Sequence, residues 1–135
     1  MRHPLHPAIV HFPVATWSLA VAADFASLVF GDLAWQWAAP LLAVGCLTAI
    51  AAMLAGMLEL GRIPEGPALK DTWLHMAAML TAFCFFLASL ILRLEELQPQ
   101  APNMVVLITD AIGFIALAFG GYMGGRLVYG HGVGR

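Results

Sequence analysis

The sequence contains very little charge. Six residues are Lys or Arg and eight are Asp or Glu, so 10% of the chain is charged, whereas soluble domains average about 25%. The basic residues do not cluster and the formal net charge is −2, so nucleic acid is not an expected partner. The only two cysteines, Cys46 and Cys84, form no C-x-x-C motif, which argues against a cysteine-based zinc or redox site. No hydrolase or nucleotide-binding motif is present, so the sequence does not indicate such an enzyme.

Apolar residues are abundant instead, at 61% of the chain. A membrane-spanning helix needs roughly 20 consecutive apolar residues, and four stretches meet that length with short Gly- and Pro-containing connections between them. The sequence therefore predicts an all-α integral membrane protein, a bundle of four transmembrane helices in a lipid bilayer, formed as one domain over residues 1–135. The predicted spans are residues 9–30, 38–60, 73–92 and 104–129.

The basic residues predict the orientation of the spans. Four spans place the N-terminus, the second connection and the C-terminus on one side of the membrane. That side carries all the basic residues except Arg93, and the positive-inside rule therefore predicts that both termini are cytoplasmic. The basic residues on that side are Arg2, Arg62, Lys70, Arg126 and Arg135.

The histidines fall on the same side as the termini. Three of the five lie in the opening stretch M-R-H-P-L-H-P-A-I-V-H-F-P, where the prolines favour extended backbone and predict a rigid lead-in to a helix that begins near His11 or Phe12. His75 opens the third span and His131 follows the fourth. Ionisable residues inside spans are costly and usually face a partner or a cavity, so these histidines are the candidate functional residues.

Neutral imidazole is a ligand of haem iron, and helical bundles bind such groups between facing helices. We expect one or two b-type haems held by two histidines each, from the set His6, His11, His75 and His131, with His3 and Met79 as weaker candidates. Arg126 is the expected partner of the haem propionates, and Arg62 and Lys70 on the same side are further candidates. The expected activity is electron transfer, with a quinone or a separate redox protein as partner. The oligomeric state is left open, a homodimer included.

Two other classes of function stay open. Thioether and imidazole together suit Cu(I), so a copper-binding or transport protein is the first alternative. It would use the same histidines together with methionines from the second and third spans. The second is a scaffold without a cofactor. The methionines concerned are Met53, Met57, Met76 and Met79.

Two carboxylates lie in the other half of the membrane. Asp24 and Asp110 are each about six residues, or ~9 Å of helix, from the surface opposite the termini. A buried carboxylate is expected to be paired or protonated. Arg93, at the end of the third span, is the nearest basic candidate, so the sequence predicts a contact between Arg93 and one of them.

Two motifs carry a resemblance over nearly the whole chain. These are H-P-x-x-x-H-F-P at residues 6–13 and G-G-R-L-V-Y-G-H-G at residues 124–132. They resemble those of a bacterial family of four-helix inner-membrane proteins of unknown function. Members of that family are sometimes fused to Rieske or cytochrome c domains, so the resemblance implies location in the bacterial plasma membrane and a role in electron transfer.

Overall fold

The chain forms a bundle of four long helices, and the computed structural model describes residues 5–63 and 65–133. A short antiparallel hairpin connects the last two long helices, with Leu94 opposite Pro99 and Glu95 opposite Gln98. The elements are α1 (Leu5–Ile9), α2 (His11–Phe30), α3 (Asp32–Trp35), α4 (Ala38–Leu60), α5 (Pro67–Leu92), β1 (Leu94–Glu95), β2 (Gln98–Pro99) and α6 (Met104–Gly125), which continues as a π-helical segment over Arg126–Gly130.

The predicted spans agree closely with these helices. All four are long and apolar enough to cross a membrane. The largest difference is at α5, which begins six residues earlier than predicted. Gly66, with φ of 111°, reverses the chain there, and Pro67 takes the first helical position, where a missing N–H costs no hydrogen bond.

The prediction of an extended lead-in is wrong, because residues 5–9 form the helix α1. Pro7 is the third residue of that helix, and N–H groups in the first turn have no partner within the helix. The proline therefore removes no bond. The start of α2 at His11 is as predicted, and α1 runs into it almost without interruption, with the Val10 N–H bonded to the His6 carbonyl at 3.0 Å.

The helices are arranged as two hairpins. In one, α2 packs on α4; in the other, α5 packs on α6; smaller contacts of α4 with α5 and of α2 with α6 close the ring. The centre is filled by Trp17, which is fully buried and stacks on Phe86 with ring centres 4.8 Å apart.

The two hairpins are approximate repeats of each other. Arg93 and Asp24 form an ion pair across the bundle and are 69 residues apart. The same interval separates the stacked pair Trp17 and Phe86. It also separates the neighbouring rings of His6 and His75. Equivalent positions of the first and third spans thus meet three times along the bundle, as expected about a two-fold axis parallel to the helices.

The second and fourth spans correspond in the same way, at an interval one residue shorter than the interval between the first and third spans. Glycines mark the correspondence: an added Cβ at Gly45 would meet the Trp17 ring at 2.5 Å, and one at Gly113 would meet the Phe86 ring at 3.1 Å. Each glycine thus makes room for one member of the central aromatic pair. The buried positions also correspond, Ala38, Ala39, Leu42, Ala49, Ala52 and Ala55 in α4 matching Val106, Leu107, Asp110, Leu117, Gly120 and Met123 in α6.

Candidate functional site

The structure brings two of the candidate histidines together. His6 from α1 and His75 from α5 lie with their ring centres 6.1 Å apart and their planes at 87°. Both are partly buried, and they stand at equivalent positions of the repeat. The pair lies at the end of the bundle that also carries Leu5 and Val133.

Each imidazole is held in the same way by a neighbouring helix. The Nδ1 atom of His6 is 2.7 Å from the carbonyl oxygen of Ala52 on α4, and the Nδ1 atom of His75 is 2.8 Å from that of Gly120 on α6. A carbonyl oxygen only accepts, so Nδ1 must carry the proton and donate it in both rings. In the neutral imidazole this leaves the lone pair on Nε2.

Each ring also rests against a glycine one turn further along. A Cβ at Gly56 would lie 3.1 Å from Nδ1 of His6, and one at Gly124 would lie 3.2 Å from Cε1 of His75. Contacts this short are tighter than ordinary van der Waals packing, so both glycines are required for the observed ring positions. Carbonyl and glycine together form a seat that occurs once in each hairpin.

Glu59 fixes the position of α1, and hence of His6. Its Oε1 atom accepts hydrogen bonds from the backbone N–H groups of Leu5 at 2.9 Å and His6 at 3.4 Å. These groups have no partner inside the helix, and a carboxylate at a helix N-terminus is favourable. No sequence motif marks Glu59 for this role, because it lies 54 residues from Leu5 in the chain.

The other candidate histidines lie elsewhere. His11 is exposed at the start of α2 and lines a shallow surface groove with Val10, Val14, Ala15 and Ser18. His131 pairs through Nε2 with Asp71 at 3.0 Å, and Arg126 reaches the same carboxylate at 2.9 Å. His3 lies outside the described residues.

A recess of about 490 Å³ opens beside this second cluster. Asp71 is buried there, whereas half of the Arg126 side chain is exposed. The recess thus has charged side chains in its wall and lies at the histidine end of the bundle. Its lining consists of Gly66, Pro67, Lys70, Asp71, Leu74 and Arg126.

The donors around the His6–His75 pair are few. Among residues 5–63 and 65–133, no three His, Cys, Asp or Glu side chains converge as a metal-binding group. Met79, one turn along α5 from His75, packs on Gly120: a Cβ there would lie 2.6 Å from its sulfur atom. Met57 is exposed, whereas Met53 and Met76 are partly buried.

The opposite end of the bundle holds the predicted carboxylates. Arg93 binds Asp24 with both terminal nitrogens, one bond being Nη1 to Oδ1 at 3.1 Å. Its Nη2 atom also lies 3.8 Å from Oδ2 of Asp110, whose Oδ1 accepts from the Ser89 hydroxyl. The predicted contact of Arg93 is confirmed, and it involves both carboxylates.

Fold and composition together define the class: this is an integral membrane protein built as a bundle of four transmembrane helices. Residues 2–135 match the family described as "Predicted membrane protein (DUF2231)". The chain belongs to that family, which confirms the resemblance carried by the N- and C-terminal motifs. Neither the curated proteins nor the solved structures contain a match to it.

Proposed function

We propose that this membrane protein binds one b-type haem through His6 and His75 and transfers single electrons. The observation that carries the proposal is the pair of imidazoles on different helices, 6.1 Å apart, each with Nδ1 bonded to a backbone carbonyl. Two imidazoles that bind one metal ion from opposite sides, with metal–nitrogen bonds of about 2 Å, have ring centres roughly 6 Å apart.

The hydrogen bonds at Nδ1 support this assignment. A histidine that binds a metal commonly donates its other ring N–H to a carbonyl or carboxylate, which fixes the tautomer and the ring orientation. Both rings have this arrangement, so each would offer Nε2 to the iron. A change of iron oxidation state is the chemistry that haem would supply.

The small number of protein donors also favours haem. A zinc site takes three or four ligands from the protein, and no three such side chains converge in the described ranges, 5–63 and 65–133. Haem iron takes its equatorial ligands from the macrocycle and needs only two from the protein. One histidine pair supports one haem, the smaller of the two predicted numbers.

Arg126 is the candidate for binding a haem propionate. Its guanidinium is half exposed and its partner Asp71 lies on the same side of the bundle as the histidine pair. Charge-assisted bonds from Arg to carboxylates are among the stronger hydrogen bonds in proteins. The proposed electron partner is a quinone or a separate redox protein.

The histidine end is proposed to face the cytoplasm. Arg93, the one basic residue on the other side, is only 2% exposed and is paired with Asp24, so it adds no free positive charge there. This sharpens the charge asymmetry on which the positive-inside rule depends. The membrane is then the bacterial plasma membrane, as the family resemblance implies.

Copper binding is the second candidate, and the position of Met79 favours it. Its sulfur packs on Gly120, the residue whose carbonyl binds His75. Two imidazoles and one thioether form a suitable ligand set for Cu(I). Copper would use Met79 together with His6 and His75, whereas haem would use the histidines alone.

The test is a reduced-minus-oxidised visible spectrum of the protein purified in detergent after expression with ample haem. We expect a b-type signal at one haem per chain, lost in His6→Ala and in His75→Ala alike. His11→Ala is the matched control, since His11 is exposed and belongs to the same proline-rich stretch. It should keep the signal.

Three results would contradict the proposal. A spectrum without haem bands but with one copper per chain, lost in Met79→Leu, would assign the copper site instead. A protein that contains neither haem nor copper would point to the third class, a scaffold without a cofactor. A haem signal that His131→Ala or His11→Ala abolishes, and His6→Ala does not, would show that the ligand pair is wrong.

A further inference from the structure

The carboxylates at the end opposite the histidines are not equivalent. Asp24 and Arg93 occupy equivalent positions of the repeat and bind each other with two hydrogen bonds. Asp110 occupies the position that in the first hairpin belongs to Leu42, and both residues are fully buried. The first hairpin therefore packs at this position without a carboxylate, and the ion pair does not need one there. Asp110 is an addition specific to the second hairpin.

The cluster contains one negative charge too many if both carboxylates are ionised. Arg93 supplies a single positive charge, and the Arg93, Asp24 and Asp110 side chains are at most 1% exposed. An uncompensated charge away from water is very costly, and a buried group usually becomes neutral instead. One proton on the cluster removes the excess.

The hydrogen bonds indicate which oxygen takes that proton. Both oxygens of Asp24 accept from Arg93. Asp110 accepts from Ser89 at Oδ1, whereas its Oδ2 atom is buried and has no hydrogen-bond partner among the described residues. A carboxylic acid has one O–H and one carbonyl oxygen, and this arrangement fits a carbonyl at Oδ1 and the O–H at Oδ2.

We propose that Asp110 is a membrane-embedded proton-binding site that exchanges its proton with water on the side of the β-hairpin. Three residues face Asp110: Asp24 from α2, and Ser89 and Arg93 from the α5 side. In the part of the chain that the structure describes, α4 adds no titratable group to this cluster. Asp110 is in the second turn of α6, ~9 Å from its start, and the hairpin beyond Arg93 is exposed, so the path to water is short.

The experiment is infrared spectroscopy of the protein prepared without haem, in lipid vesicles at neutral pH. We expect an absorption band of a protonated carboxyl group that shifts in D₂O, is absent in Asp110→Asn and is retained at a shifted position in Asp110→Glu. Asp71→Asn is the matched control, because this carboxylate at the other end of the bundle is bound to Arg126 and His131. It should leave the band unchanged.

A second variant keeps the proposal testable if Asp110→Asn does not fold. Ser89→Ala removes the donor to Oδ1, so the carbonyl stretch of a protonated Asp110 should move to higher frequency. No carboxylic acid band, a band that Ser89→Ala does not move, or a band that persists in Asp110→Asn would overturn the assignment. A band that never shifts in D₂O would overturn exchange with water. Because no haem is present, these outcomes are independent of the proposed electron transfer.

Discussion

The two helical hairpins place equivalent residues against each other at the axis, and they differ at Asp110 and at the cluster of Asp71, Arg126 and His131. On the axis, His6 matches His75 and Trp17 matches Phe86. The shared arrangement is thus a scaffold that presents two imidazoles to each other from equivalent seats. A ligand bound between them would meet a histidine held by a backbone carbonyl on each side.

The differences mark where the chemistry is specific to one hairpin. Asp110 replaces an equivalent leucine, and the Asp71, Arg126 and His131 cluster belongs to α5 and the end of the last span. Features that recur define the fold and the histidine pair, whereas features found once are the candidates for proton binding and for contacts at the membrane surface. Substitutions at equivalent positions test how closely the two hairpins correspond.

The largest expected effect is on the ion pair at the axis. Arg93→Asp leaves carboxylates without a positive partner, and loss of one partner of a buried pair costs about 3–5 kcal/mol. The exchange Asp24→Arg with Arg93→Asp should recover most of this loss, because equivalent positions about a two-fold axis can swap their charges. Unfolding in detergent, followed by tryptophan fluorescence, measures both. A double variant no more stable than Arg93→Asp would contradict the repeat.

The glycines beneath the aromatic pair should give the next largest effect. Gly45→Ala places a Cβ 2.5 Å from the buried Trp17 ring, and Gly113→Ala places one 3.1 Å from Phe86. Overpacking of this kind costs about 1–3 kcal/mol, and we expect Gly45→Ala near the upper value and Gly113→Ala near the lower. Gly121→Ala, where the added Cβ meets nothing within 4 Å, is the control in the same unfolding assay. Equal stability of all three variants would show that close packing at the axis is unimportant.

The glycines beneath the imidazoles should affect binding more than stability. Gly56→Ala and Gly124→Ala press on His6 and His75 at 3.1 and 3.2 Å, so each ring must move by a few tenths of an ångström. We expect less haem per chain in both variants, to a similar extent, with unfolding changed by about 1 kcal/mol, the lower end of the cost of overpacking. Gly125→Ala, which points into open space, should keep the full haem content. A loss confined to one hairpin would show that only one of the two seats serves binding.

The sequence predicts the helices well because length and apolar composition determine whether a segment can span a bilayer. It also predicts a contact of Arg93 with Asp24 or Asp110, because few partners are available for charges inside a membrane, and the structure shows both contacts. The proline pattern predicts extended backbone in place of α1, because proline disrupts a helix interior, whereas Pro7 lies in a first turn. Capping by Glu59, which is distant in sequence, further stabilises that turn.

The pairing of His6 with His75 is harder to predict from composition. Helices in a membrane are apolar on all sides, so the hydrophobic pattern does not show which face meets a neighbour. The repeat is the signal that would have predicted it: His6, Trp17 and Asp24 recur as His75, Phe86 and Arg93 at one constant interval. The paired residues differ in type, except for the histidines. A search for identical residues at this interval therefore does not reveal the repeat.

The smallest expected effect is at the cluster found in one hairpin only. Asp71→Asn weakens the contacts to Arg126 and His131, but half of the Arg126 side chain is exposed, so water and salt screen the pair and the loss of stability should be at most about 1 kcal/mol. Unfolding at low and high salt measures it, and the difference from wild type should shrink as salt is added. The haem spectrum should not change, since His6 and His75 are untouched. If Asp71→Asn removed the haem as completely as His75→Ala, the haem would depend on Arg126 or His131. The site would then lie in the part of the molecule that the repeat does not share, and the assignment to His6 and His75 would be wrong.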